Sequence, residues 1–277
     1  MGKIAEYYYA SSCRDAVERA RALDSAAAYV GGGVELVLRR NPGVTTLIDL
    51  GRCGLSEIRE TDQGIDIGAL ATLTAMSHSV PLQHYAHGSV AHWAGRVASN
   101  NLRDMITVGG AVARNQPWND MVPHLLALDA QVHVLDDEER TVPLREFLRS
   151  KRGSALITGI LLPKANADAF GYLWRFTRTE QDIPLLHVSA CLHIDTGVIG
   201  QASIVVGGRP GHAEECPQLS SQLTGHPVDH AAFAPVIESA GQLVDVGDDL
   251  RASGAYRRDL LRAALTGLEE FAAEVMR

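Results

Sequence analysis

The sequence predicts an α+β protein, and three observations carry that prediction. Short apolar runs of strand length interleave with short helical patterns through the first half of the chain. After about residue 162 the character changes, to longer strands around an Asp-Thr-Gly turn. Two long helical patterns then close the chain. With 277 residues it fits one large domain or two to three small ones. Hydrophobic residues make up 46% and charged residues 21%, which excludes wholesale disorder and collagen-like structure. A net charge of −8 gives no general electrostatic pull toward nucleic acid or an anionic membrane.

Each element follows from local pattern. Ser12 opens the first helix, Asp15 completes an S-x-x-D cap, and Ala16, Val17, Ala20 and Leu23 recur at helical spacing. Residues 26–30 read as a strand that runs straight into Gly31, Gly32 and Gly33. Residues 34–40 read as a short helix stopped by Pro42-Gly43. Residues 44–50 and, by alternation, 65–68 read as the next two strands. Val90, Trp93, Ala94 and Val97 share one face of a predicted helix. Residues 107–111 form a second glycine-bearing turn, 123–129 a helix and 131–135 a strand. The acidic run 136–139 is most simply a solvated hairpin tip, and 156–163 is another strand.

Phe170, Tyr172, Trp174 and Phe176 alternate, marking one buried or ligand-facing side of a strand. Strands at 188–194 and 198–207 flank the Asp195-Thr196-Gly197 turn. Helices are expected over 230–244 and 253–275, the second with an apolar face of Tyr256, Leu260, Ala264, Leu268, Phe271 and Val275. The boundary expected near 162–168 separates a first domain, 1–164, from a second, 165–277. Within the first, a division into subdomains 1–52 and 53–164 is expected.

Cys13, Cys53, Cys191 and Cys216 lie far apart, with no C-x-x-C pair, so no zinc ribbon or ferredoxin-type cluster is readable. They are too sparse for a disulfide framework, which predicts a reduced, cytoplasmic chain. The longest apolar run, 155–162, is interrupted by Thr158 and Gly159 and falls short of a membrane span, so no membrane insertion is expected. Residues 1–10 lack a basic segment followed by an apolar one, so no secretory signal is read. His84 and His87 lack an acidic partner at ligand spacing, and no metal site is expected. Cys191 reads as a packed small hydrophobe, and Glu269, Glu270 and Glu274 as a solvated helix face.

The two glycine clusters carry the chemistry. Three glycines where a strand turns into a helix let the backbone approach a ligand and permit positive φ. Successive N–H groups there suit an anion such as phosphate. The spacing matches neither G-x-G-x-x-G nor a Walker loop, and a purely structural turn is an equal alternative. The second cluster adds the Thr107 hydroxyl, Gly109-Gly110 and, ten residues beyond, Asp120. Two such loops suit a pyrophosphate, and the carboxylate suits a ribose or ribityl hydroxyl. The alternative is two tight turns with Asp120 as a helix cap.

The order and spacing of these segments resemble the FAD-binding medium subunit of the molybdenum hydroxylases, the group of xanthine dehydrogenase and aerobic carbon monoxide dehydrogenase. The resemblance runs from about Glu6 to about Leu265. Gly31-Gly32-Gly33-Val34-Glu35-Leu36 resembles the family's A-G-G-T-D-L flavin loop. Leu47-Ile48-Asp49-Leu50 and Ile67-Gly68-Ala69-Leu70-Ala71-Thr72 are similar to its next strand pair. Asn101-Leu102-Arg103-Asp104-Met105-Ile106-Thr107-Val108-Gly109-Gly110-Ala111 resembles Q-I-R-N-x-G-T-I-G-G-N. Asp120-Met121-Val122-Pro123 and the Leu125 to Ala130 stretch resemble D-x-x-P followed by LLALDA. The segment from Arg175 to Ile183 is similar to K-x-x-R-R-x-x-D-I, while Gly207-Gly208 and Tyr256-Arg257-Arg258 match its C-terminal domain. Ile106 stands where the family usually has Gly, Ala111 for Asn, Arg175 for Lys and Gly31 for Ala.

The resemblance implies a p-cresol methylhydroxylase-like FAD-binding fold: two α/β subdomains, then a C-terminal antiparallel sheet with helices. It implies FAD as cofactor, with Gly31, Gly32, Gly33, Val34, Glu35 and Leu36 on one side of the pyrophosphate. Thr107, Val108, Gly109, Gly110 and Ala111 would lie on the other. Asp120 would bind a cofactor hydroxyl, Leu161 would contact the ring systems and Arg175 would lie near the flavin. No side chain of this chain would act as a catalytic acid or base, because the isoalloxazine does the redox work. An iron–sulfur small subunit and a molybdenum-pterin large subunit are implied as partners, with electrons passing through FAD to an external acceptor. Two alternatives stand beside this: a stand-alone flavin oxidoreductase in a biosynthetic pathway, and a non-catalytic assembly subunit that has lost FAD.

Overall fold

The structure, a computed structural model, describes residues 4–38, 41–150 and 153–277. Among them are three sheets, met in chain order. The first unit runs β1 (Glu6–Tyr9), α1 (Cys13–Leu23), β2 (Ala27–Val30), α2 (Val34–Leu38) and β3 (Thr46–Asp49), with parallel strand order β1-β3-β2. The Ser12 hydroxyl accepts from the Asp15 N–H, as the cap pattern predicts. The Asp15 carboxylate reaches one residue further back, accepting from the Ser11 N–H at 2.7 Å and the Tyr8 hydroxyl at 2.6 Å. Arg39 and Arg40, the end of the helix expected over 34–40, lie outside the described residues. β1 has no aliphatic pattern, which is why the sequence does not announce it. It forms because every residue from Glu6 to Tyr9 finds a partner on β3.

The second unit opens with β4 (Ile58–Thr61) and β5 (Gly64–Gly68) and then turns helical. Its helices are α3 (Leu73–His78), α4 (Val80–His84), α5 (Ser89–Ala94), α6 (Asn100–Arg103), α7 (Val108–Arg114) and α8 (Met121–Ala127). It ends on β6 (Gln131–Leu135), β7 (Glu139–Pro143), α9 (Leu144–Arg149) and β8 (Leu156–Pro163). The strands are antiparallel throughout, in the order β4-β5-β8-β6-β7. Ile65, Ile67, Val132 and Ile160 on one face bury against Leu73, Met76, Val90, Val108 and Leu125 of the helices.

One expectation is corrected in this unit. The helix expected to reach Val97 ends at Ala94, capped by Gly95, and Ala98 takes a positive φ of 51°. Val90 and Ala94 are buried, but Trp93 and Val97 are only half-buried. The acidic hairpin tip is solvated at Asp137, Glu138 and Glu139, as expected, and is also tied to α1. Arg21 of α1 pairs with Asp136 and, at 2.7 Å, with Asp137. Arg14 donates to the carbonyls of both, at 3.1 and 2.7 Å. Leu135 and Leu156 join Ala16, Val17 and Ile48 in the same small core.

The third unit has strand order β12-β11-β10-β9, antiparallel. Its strands are β9 (Phe170–Phe176), β10 (Leu186–Asp195), β11 (Val198–Gly207) and the two-residue β12 (Glu214–Glu215). The helices α10 (Pro217–Leu223), α11 (His230–Leu243) and α12 (Gly254–Val275) follow. Thr196 and Gly197 supply the positive φ values, 48° and 81°, of a tight hairpin turn. The alternating aromatics of β9 face helix α12: Tyr172 lies 5.3 Å from Phe271 and Phe176 5.9 Å from Tyr256, ring to ring. The Tyr172 hydroxyl donates to the Ala264 carbonyl at 2.9 Å. Tyr256 itself is exposed, and Glu269 accepts from His230 at 2.9 Å instead of being merely solvated. Cys191 is buried, and burial pushes its thiol up to about 12.

The second and third units share a core. Ala169, Cys191 and Val205 pack with the buried residues of the helical layer. Between them sits His124 of α8, fully buried, its Nδ1 2.8 Å from the Ser189 hydroxyl and its Nε2 3.0 Å from that of Ser89. Burial pulls its pKa down to about 3, so the imidazole is neutral. No helix of the described residues is long and apolar enough to cross a membrane.

Candidate functional site

The two glycine segments meet. β2 delivers Gly31 and Gly32 onto the backbone that leads into α7. A Cβ at Gly32 would lie 1.4 Å from the Met105 carbonyl oxygen, so only glycine permits this approach. A Cβ at Gly31 would lie 2.9 Å from the Thr107 hydroxyl. Gly33 follows with φ of 74° and opens the first turn of α2. Among the described residues, the N–H groups of Gly32, Gly33 and Val34 have no acceptor in the fold. Glu35 accepts from Gln116 Nε2 at 3.2 Å and lies 3.7 Å from Arg114 Nε, tying α2 to the far end of α7. Leu36 is half-buried.

The second cluster is not the turn that Gly-Gly suggests. Thr107 is the N-cap of α7, its hydroxyl accepting from the Gly110 N–H at 3.2 Å, and Gly109, Gly110 and Ala111 are helical. Val108 donates to Ala71, Gly109 to Ala69 and Ala111 to Thr107, all at 2.9 to 3.0 Å. The donors from Val108 to Ala111 are therefore used by the fold, and the free N–H groups lie on the first loop. Ile106 has a negative φ and packs on the core, so a branched residue carries no backbone strain there. The Ala111 carbonyl accepts from Asn119 Nδ2 at 2.9 Å.

Asp120, Arg175 and a third residue form a second group, at the junction of the helical layer and the C-terminal sheet. Asp120 does not cap α8, because the Oδ1 of Asn119 accepts from the N–H groups of Met121 and Val122, both at 2.9 Å. The Asp120 side chain is 11% exposed, and its Oδ2 lies 3.6 Å from Arg175 NH1. The Arg175 guanidinium is held by the carbonyls of Arg96, Glu180 and Asp182 at 3.2, 3.4 and 2.9 Å. Asp120 Oδ1 lies 3.5 Å from Nδ1 of His187, which the sequence reading passed over. Asp120 Oδ1 and both His187 nitrogens are buried without a hydrogen-bond partner. The signal that could have found His187 is a polar residue amid the apolar run of β10, in register with Arg175 on one side and Gly207 on the other.

Leu161 is buried in β8, paired with Asp66 on β5 and Gln131 on β6. A cleft of about 240 Å³ is lined by Pro117, Trp118, Ile183, Arg209, Asp249 and Arg251, among others.

A cofactor that carries phosphates and hydroxyls fits this donor set. Free N–H groups on a glycine loop suit the phosphates, and a largely buried carboxylate that makes no hydrogen bond in the fold suits a hydroxyl. Residues 3–165 match the family described as the FAD binding domain in molybdopterin dehydrogenase. Residues 172–268 match the CO dehydrogenase flavoprotein C-terminal domain. The chain belongs to this family as an FAD-binding medium subunit of the molybdenum hydroxylase type, and FAD is its cofactor. Its similar proteins include the 6-hydroxypseudooxynicotine dehydrogenase complex subunit alpha of Paenarthrobacter nicotinovorans. The two are 30% identical, over 90% of this chain and 88% of the relative. The fold matches carbon monoxide dehydrogenase from Hydrogenophaga pseudoflava with a TM-score of 0.88 at 22% identity, covering 96% of each chain. It also matches quinoline 2-oxidoreductase from Pseudomonas putida 86, with a TM-score of 0.88 at 19% identity over 97% of this chain and 96% of that one.

Proposed function

We propose that this chain is the electron-transfer subunit of a molybdenum hydroxylase-type oxidoreductase, taking electrons from an iron–sulfur subunit and passing them to an external acceptor. The observation that carries the reading is the junction of the two glycine segments, where Gly32 lies flush against the Met105 carbonyl. Gly31, Gly32, Gly33, Val34, Glu35 and Leu36 would hold one side of the FAD pyrophosphate. On the other side Thr107 would offer its hydroxyl, and Val108, Gly109, Gly110 and Ala111 the wall. Asp120 would accept from a cofactor hydroxyl. Arg175, anchored by three carbonyls, would present positive charge beside it. Leu161 would contribute apolar surface to the cofactor's rings. The bound isoalloxazine supplies the redox chemistry.

Partner chains are part of the same reading. The four cysteines cannot make a cluster site on this chain: Cys191 and Cys216 are buried in the C-terminal unit, away from Cys13 and Cys53 in the first. An iron–sulfur small subunit and a molybdenum-pterin large subunit would supply the other centres. The family relative named as one subunit of a dehydrogenase complex supports that division of labour.

The test is the visible spectrum of the purified chain, with chromatography of what heat releases. Oxidised flavin bands and released FAD are expected, and a colourless protein that takes up no added FAD would overturn the reading. Gly32→Ala must drive the two loops apart and should cost at least about tenfold in FAD affinity. Gly33→Ala, which meets nothing within 4 Å, should cost only the strain of a positive φ, about 1 kcal/mol.

A further inference from the structure

Asp120, His187 and Gly207 form a stack that runs inward from the junction of the two domains. Three observations define it. First, the Asp120 carboxylate makes no hydrogen bond in the fold: Asn119 does the capping, and Arg175 meets it only as an ion pair at 3.6 Å, beyond hydrogen-bond distance. Second, its two oxygens differ. Oδ1 is sealed from solvent without a partner, so the residual exposure of the side chain lies toward Oδ2. Third, the atom facing Oδ1 is Nδ1 of a fully buried histidine, 3.5 Å away.

His187 has little freedom to move. Its ring lies against Gly207, its register partner on β11, where a Cβ would sit 2.2 Å from Nε2. Gly207 is thus the space the imidazole occupies, which gives a physical reason for a glycine there. Buried polar atoms cost free energy when unpaired. A proton on Nδ1 leaves Nε2 as the one ring nitrogen without a partner. It also turns a donor toward the one carboxylate oxygen that no other group reaches.

We propose that His187 is a positioning residue for FAD. It holds Asp120 Oδ1 from behind, so that Oδ2 faces out beside Arg175 as the acceptor for a cofactor hydroxyl. This rests on the reading that Asp120 contacts FAD.

The experiment measures FAD dissociation constants on the full chain, by fluorescence titration after flavin removal, with thermal midpoints recorded alongside. Asparagine places an amide nitrogen where His187 Nδ1 stands, whereas glutamine places one near Nε2 and leucine offers no donor. His187→Leu and His187→Gln should weaken binding about tenfold or more, the worth of a hydrogen bond to a charged group, and His187→Asn should restore most of it. Gly207→Ala, which displaces the ring from the other side, should behave as His187→Leu. In an Asp120→Asn background, His187→Leu should cost nothing further, because the carboxylate it positions is gone. Equal FAD affinity in His187→Leu and wild type would overturn the proposal while leaving FAD binding intact. So would losses in Asn, Gln and Leu variants that merely follow their thermal midpoints. Failure of the wild-type chain to bind FAD would instead overturn the reading on which the proposal rests.

Discussion

Arg257 is the largest fully buried side chain among the described residues, and each nitrogen of its guanidinium has an acceptor. It donates to the carbonyls of Leu185, Gly247 and Ala252 and, at 2.7 Å, to Asp249 Oδ1. Burial pushes the Asp249 carboxyl up, but the Arg257 bond and the N–H groups of Arg251 and Ala252 outweigh it and hold it well below the usual carboxylate range. One residue therefore pins the 247–252 segment to the start of β10 and to α12. Arg257→Leu should lower stability by about 3–5 kcal/mol in urea unfolding, because it leaves three carbonyls without their donor and Asp249 with Arg251 as its one remaining arginine. Asp249→Asn should cost less, since the three carbonyls still hold the guanidinium. The sequence marks Tyr256-Arg257-Arg258 as a family feature without saying which member matters. The answer depends on register: Arg257 turns inward, while Tyr256 and Arg258 are exposed.

At the scale of elements, α7 and α8 show how neighbours decide between alternatives that the sequence leaves open. Gly109-Gly110 reads as a turn because glycine disfavours helix interiors. It is helical here because Thr107 caps it and because Gly109 lies flush on Ala69, where a Cβ would meet the Ala69 Cβ at 2.7 Å. That approach is made by residues forty positions apart, which no local pattern reports. Asp120 reads equally well as a cap or a ligand group, and Asn119, one residue earlier, takes the capping role. Asn119→Ala should therefore cost about 1–2 kcal/mol of stability in urea unfolding. Asp120→Asn should cost less than that, because Asp120 makes no hydrogen bond in the fold and gives up only its ion pair with Arg175 at 3.6 Å. The reverse ranking would return the capping role to Asp120.

Strands with clear alternation or long apolar runs were legible: residues 131–135 and 156–163 are strands over the expected ranges. β1 and β4 were not: Glu6-Tyr7-Tyr8-Tyr9 owes its conformation to β3, distant in sequence, and Ile58-Arg59-Glu60-Thr61, although it pairs with the neighbouring β5, carries no apolar alternation. The same division holds at the candidate site. Gly31, Gly32, Thr107, Asp120 and Arg175 stand out by residue type. The Met105 carbonyl and His187 become visible only once the chain has folded them against Gly32 and Asp120.

Across the whole molecule, charge sets a pH range for stability. His124 is neutral and sealed between the helical layer and the C-terminal sheet, with its pKa pulled below the unfolded value of about 6.5 by burial. A histidine with a lowered pKa binds its proton more weakly when folded. Its contribution is complete above about pH 6.5 and is lost as pH falls from there toward the folded value, at up to about 1.4 kcal/mol per pH unit. Urea unfolding between pH 7 and pH 5 should show this slope in the wild-type chain and a shallower one in His124→Gln. Identical slopes would assign the acid sensitivity to other groups. Carboxylates such as Asp249 act at lower pH, below about 4, so the two ranges separate.

The core that Ala169, Cys191 and Val205 share with the helical layer reaches beyond stability, into how the molecule can be divided. The connector between β8 and β9 is the natural place to cut a gene into two family modules, yet a cut there would open an apolar seam along α8 and leave the imidazole of His124 facing water. Either half alone should be sticky and prone to aggregate, and heat should melt the intact chain past this seam in a single calorimetric transition.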